Sequence, residues 1–177
     1  MKNLPVAEIA YGKGRIPLRL DPALAEWQVY RPKSVPALRD PRAAFMEACS
    51  SPINCEPLRT RVDRNDKVVI VTSDGTRPVP NKQLIPWLLE VLPVPPENVT
   101  VLIGTGTHRP NTPKEIRAMF GDASDAVTIV NHDAYDDALN VRIGTTSSGI
   151  PITVDKRYLE AGRCIVVGFI EPHFFAG

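Results

Sequence analysis

Val68-Val69-Ile70-Val71-Thr72-Ser73-Asp74-Gly75-Thr76-Arg77-Pro78 decides the fold of this chain. It opens with four β-branched residues and no polar alternation, which suits a strand buried on both faces of a parallel sheet. The polar stretch behind it, with its glycine and proline, ends the strand in a loop. A helix is expected after that loop, near 81–92. The same order recurs downstream. A strand over 99–103 leads into Gly104-Thr105-Gly106-Thr107-His108-Arg109-Pro110. A helix follows, opened by Thr112-Pro113-Lys114-Glu115, in which Thr112 and Glu115 form a capping box. Further strands are expected at 127–130 and 165–167, with a hairpin over 140–154 turning at Ser147-Ser148-Gly149. Strands alternating with helices predict an α/β fold: a doubly wound, mostly parallel sheet with helices on both faces.

Upstream, short strands over 6–11 and 16–20 flank Gly12-Lys13-Gly14-Arg15, a hairpin turn. Residues 27–30 suggest another extended piece. Asp40-Pro41 then supplies an N-cap and a proline at the first helical position, opening a helix through about residue 48.

The 177 residues are 43% hydrophobic and 23% charged, close to the globular average, so disorder, collagen and coiled coil do not describe the whole. A formal net charge of +1 gives no electrostatic footprint for nucleic acid or an anionic membrane. Proline is the outlier at 18 residues, about twice the usual ~5%. Most prolines fall at helix starts or behind strands, among them Pro78, Pro80, Pro110, Pro113 and Pro172, which argues against low-complexity disorder. Cys49, Cys55 and Cys164 form no C-x-x-C pair, so neither a zinc framework nor a redox motif is indicated. Without a signal-peptide pattern or a membrane-length apolar run, a cytoplasmic setting is expected.

In an open α/β sheet, ligands bind outside the carboxyl ends of the strands. All three histidines, His108, His132 and His173, fall just past expected strand ends, together with Asp74, Arg77 and Arg109. Asp74 either bonds its own loop or serves chemistry. Arg77 is either a surface charge or a fork for a carboxylate or phosphate. The Gly104/Gly106 loop either presents N–H groups to an anion or is an unliganded turn, since the third glycine of the dinucleotide fingerprint is missing. His108 suits a base near neutral pH or a structural hydrogen bond. His132, in Asn131-His132-Asp133, reads as turn chemistry. His173 is either packed among Pro172, Phe174 and Phe175 or a base in a partly dry pocket.

Ser73-Asp74-Gly75-Thr76-Arg77-Pro78, Gly104-Thr105-Gly106-Thr107-His108-Arg109, Asn131-His132-Asp133 and Glu171-Pro172-His173-Phe174-Phe175-Ala176-Gly177 together resemble the nickel-pincer lactate racemase family. The resemblance implies racemisation or epimerisation of a small 2-hydroxy acid with a nickel complex of a pyridinium mononucleotide. It implies that His108 and His173 alternate as acid and base on the substrate hydroxyl. Asp74, Thr76, Arg77, Gly104, Gly106 and Arg109 are then the candidates for substrate and cofactor contacts, with Arg77 clamping the substrate carboxylate or lining the cofactor pocket and Asp74 orienting a neighbour. The family's tethering lysine, nickel-binding histidine and second α/β domain have no counterpart, since no lysine follows Lys156 and no histidine follows His173. The expectation is therefore one N-terminal α/β domain over 1–177 of a larger two-domain enzyme. It would carry both histidines and no metal ligand, and be unable to hold the cofactor covalently or to act alone. Two other readings stand beside this one: a non-catalytic anion- or nucleotide-binding module, and a zinc-dependent hydrolase in which Asp74, His108 and His173 converge on the metal.

Overall fold

A computed structural model describes residues 6–21, 23–26, 28–30 and 33–171. They form two compact units, dividing between Arg39 and Asp40. The first holds an antiparallel hairpin of β1 (Val6–Tyr11) and β2 (Gly14–Arg19), in register from Val6 opposite Arg19 to Tyr11 opposite Gly14. Its two-residue turn needs a positive φ, and Gly12 supplies +55°. Residues 28–30 form no strand, so the extended piece expected there is absent from the described part; Trp27 lies outside the described residues.

The second unit is the α/β body. It opens with α1 (Pro41–Ser50), whose N-cap Asp40 accepts from Ala43 N at 2.9 Å. Then come β3 (Val68–Ser73), α2 (Asn81–Val91), β4 (Val99–Gly104), α3 (Pro113–Phe120), α4 (Ala123–Ala126) and β5 (Thr128–Asn131). A β6–β7 hairpin (Asn140–Thr145, Pro151–Asp155), α5 (Lys156–Glu160) and β8 (Arg163–Val166) follow. The expected capping box is present: Thr112 Oγ1 accepts from Glu115 N, and the Glu115 carboxylate accepts from Thr112 N. Pro17 inside β2, Pro151 at the start of β7 and Pro86 depart from the expected placement at helix starts and behind strands; Pro86 is the helical one. It sits inside α2 and removes an N–H from its ladder.

β5, β4, β3 and β8 pair in that order, all parallel. Val68, Ile70, Val99, Val101 and Ile103 share one face. They pack with Ile85, Leu88 and Phe120 of α2 and α3 into the core. On the other face Tyr158 of α5 borders Val71, Leu102 and Val166. Helices thus lie on both faces, as the strand pattern implied. The route of the chain explains this: β3→β4→β5 steps one way across the sheet, and β8 returns to the far side of β3. A right-handed return must cross on the opposite face. The switch in direction falls between β3 and β8, where open α/β sheets form their ligand crevice.

Candidate functional site at the carboxyl edge of the sheet

The loop behind β3 is clamped where it re-enters structure. Thr72 Oγ1 donates to Asn81 Oδ1 at 3.0 Å, and both residues are buried. Within the loop, Asp74 Oδ1 accepts from Thr76 N at 3.2 Å and from Thr76 Oγ1 at 2.6 Å. Arg77 N closes the turn on Asp74 O at 3.2 Å. This Asx-type turn leaves Asp74 Oδ2 to meet His108 Nδ1 at 2.7 Å. Asp74 is buried, while the His108 side chain is 57% exposed. Burial alone would raise the Asp74 carboxyl. Hydrogen bonds from Thr76 and His108 outweigh it and hold the group below the usual carboxylate range.

The loop behind β4 carries His108. A turn closes from His108 N to Thr105 O at 3.0 Å, with Gly106 at φ +56° and open space where a Cβ would stand. Only glycine adopts that conformation without strain. The buried Thr105 hydroxyl donates to His132 O at 2.6 Å, and His132 N donates to Ile103 O at 2.9 Å. The turn therefore sits on the end of β5. Asn131 and Asn111 reinforce that seat: Asn111 N donates to Asn131 Oδ1 at 2.8 Å, and Asn131 Nδ2 donates to Asn111 O at 3.0 Å.

The two arginines have carboxylate partners. Arg77 Nε lies 3.1 Å from Glu171 Oε1, an ion pair that bridges the β3 and β8 loops at the switch point. Arg109 forks onto Glu115 at 2.7 and 2.9 Å, which together with backbone bonding from Thr112 draws the Glu115 carboxyl down to about 2. His108 stands between two cavities. One, of about 470 Å³, is lined by Asp74, Thr76, Asn111 and Met119; the other, of about 530 Å³, by Gly106, His132 and Tyr135.

His132 is more than turn chemistry. Its Nδ1 meets Asp155 Oδ2 at 2.8 Å, and Asp155 also accepts from Arg157 N, Nε and an Nη at 2.9, 2.9 and 2.6 Å. Burial would raise the Asp155 carboxyl; the bonds from Arg157 and His132 prevail and lower it to about 2. The cluster fastens the start of α5 to the end of β5.

The structure thus brings together Asp74, Thr76 and His108, with Gly104 at the end of β4 and Gly106 in the loop behind it. Arg77 lies beside Glu171, and Arg109 is turned onto Glu115. His173 lies outside the described residues. Sequence reasoning did not single out Asn111, Asp155 or Arg157. For Asp155 a signal existed, since an aspartate just before a short helix is an N-cap pattern. Among the described residues, no group of three or more His, Cys, Asp or Glu is placed to hold a metal ion, and no helix is long and apolar enough to cross a membrane.

A family model described as the lactate racemase N-terminal domain matches residues 11–177. The chain belongs to that family. It is 39% identical over 133 residues to a lactate racemase of Thermoanaerobacterium thermosaccharolyticum, covering 73% of this chain and 31% of that protein. It is 37% identical over 134 residues to a lactate racemase of Lactiplantibacillus plantarum, covering 74% and 32%. The chain therefore spans about a third of the length of these curated relatives. The solved lactate racemase apoprotein from T. thermosaccharolyticum superposes with a TM-score of 0.78 at 33% identity, over 98% of this chain and 41% of that one. A Thermotoga maritima protein, at 22% identity and TM-score 0.53 over 71% of this chain, shares the fold.

Proposed function

We propose that this chain supplies the acid–base part of an enzyme that racemises or epimerises a small, lactate-like 2-hydroxy acid. The observation that carries the reading is the His108–Asp74 pair at 2.7 Å, at the carboxyl edge of the sheet and between two cavities. With Asp74 ionised, its Oδ2 fixes the imidazole proton on Nδ1 and leaves Nε2 free to accept the substrate's hydroxyl proton. The imidazolium that forms is stabilised by the same carboxylate. In the reverse direction it returns the proton. A second base is needed to serve the opposite enantiomer, and His173 fills that role by family resemblance. Arg77 receives the substrate carboxylate, which takes the place of Glu171 on the guanidinium.

The family's nickel-pincer pyridinium mononucleotide fits the organic-group contacts available here rather than a metal set. The open space at Gly106 leaves room for close approach to the backbone, and Thr76 and Arg77 offer polar contacts on the neighbouring loop. No described cluster is placed to ligate the nickel. When bound, such a group supplies the hydride acceptor and donor for the α-carbon, which no side-chain base provides. By family resemblance the tethering lysine, the nickel-binding histidine and a second α/β domain belong to a longer enzyme, so this chain alone is expected not to turn over.

A graft tests the reading. This chain is exchanged for the matching segment of the T. thermosaccharolyticum lactate racemase, loaded with cofactor, and followed from L- to D-lactate by chiral chromatography. The graft should racemise. His108→Ala or Asp74→Asn should then lower kcat by about 10²–10⁴. A folded, loaded graft whose turnover is unchanged by both substitutions would sink the proposal.

A further inference from the structure

Asn111 stands out because its side chain is half satisfied in a place where that is costly. Its Oδ1 accepts from Gly75 N at 3.2 Å, whereas Nδ2 is buried and has no partner among the described residues. A buried unpaired amide is destabilising. A purely space-filling role would favour an apolar residue beside the neighbouring Met119. Turning the amide over would set Nδ2 against the Gly75 N–H, donor against donor, so the observed orientation is forced. The contact is close on both sides. A Cβ on Gly75 would lie 3.3 Å from Asn111 Oδ1 and 3.4 Å from Met119 Sδ. Gly75 directly follows Asp74. Asn111 is in turn locked to Asn131 at the end of β5 by reciprocal bonds at 2.8 and 3.0 Å.

We propose that Asn111 is a positioning residue, which grips the Gly75 amide and thereby fixes the Asp74 carboxylate on His108. The chain of contacts runs from β5 through Asn131 and Asn111 to Gly75, and then through one peptide bond to Asp74. It couples the loops behind three neighbouring strands. Thr76 holds only Asp74 Oδ1, from within the same turn. Asn111 holds the backbone of that turn from outside, at the residue next to Asp74. The inference rests on the acid–base reading of His108 for its meaning in catalysis; the geometry it asserts is read without turnover.

The test uses this chain and NMR. In the unaltered protein the Gly75 amide should exchange with solvent more slowly than it does in Asn111→Ala, by roughly five- to tenfold. In the variant, the Asp74 side-chain carboxyl should titrate closer to the ordinary carboxylate range, because the bonds that hold it down loosen. The groups that face it, His108 and Thr76 with Arg109 nearby, are unchanged. Asp155 serves as an internal control and should titrate as before, showing that the fold is intact. The proposal is overturned if Gly75 exchanges freely in the unaltered protein, a result that needs no variant. It is also overturned if Asp74 titrates identically with and without Asn111 while Asp155 is unmoved. Neither result bears on whether the graft racemises, so the two readings fail separately.

Discussion

Asp155→Asn keeps the shape of a buried side chain and removes its charge. The carboxylate accepts from His132 and three times from Arg157, and its side chain is only 5% exposed. Lowering a carboxyl from 3.8 to about 2 corresponds to roughly 2.5 kcal/mol of stability at neutral pH, at ~1.4 kcal/mol per pKa unit. Because the folded-state value is the depressed one, this stability is fully present above the unfolded carboxyl's range. It is lost as pH falls through about 4 towards 2. Urea unfolding should therefore show the variant about 2.5 kcal/mol less stable at pH 7, a fall in Tm of roughly 5–10 °C for a chain of this size. By pH 3 roughly half of that gap should be gone. Glu115 and Asp74 also lose stabilising charge in acid, but they are common to both proteins and cancel in the difference. A gap that stays constant from pH 7 to pH 3, or one below about 0.5 kcal/mol at pH 7, would refute the reasoning.

Two further substitutions probe the framework that carries the site. Ile85→Ala, at a fully buried core position of α2, should cost about 3–4 kcal/mol in urea melts through lost burial and a residual cavity. Gly106→Ala meets no atom within 4 Å but must hold φ +56°. It should cost about 1–2 kcal/mol from backbone strain alone, and circular dichroism should show the fold unchanged.

The framework was legible because each element carried its own local signal. The β-branched runs that became β3 and β4, Asp40-Pro41 ahead of α1, the Thr112/Glu115 box and the glycine turn of the first hairpin are encoded within a few residues. So is the gathering of polar residues behind the strands, since parallel topology brings strand ends together. What stayed hidden depends on partners far apart in sequence. His132 reads as turn chemistry until Asp155, 23 residues on, is folded against it. Asn111 is an ordinary loop residue until Gly75, 36 residues earlier, presents its amide. Arg109 looks available for a ligand, yet its fork is turned onto the same glutamate that completes the capping box. A side chain with several acceptors nearby cannot be assigned by residue type alone. Of the extended piece expected at 27–30, the described residues 28–30 form no strand, and local propensity does not make a strand by itself.

The placement of β8 beside β3 has a consequence for how the molecule assembles. Val68 pairs with Arg163, about 95 residues away, whereas the connection from β3 to β4 is short and runs through α2 and one 3-10 turn. Loop-closure entropy favours the short connection, so β3, α2 and β4 are expected to form early and β8 to dock late. The Arg77–Glu171 bridge lies across that late seam. Its formation would thus report completion of the sheet, and a folding experiment that follows this contact would time the moment when the two walls of the crevice first come together.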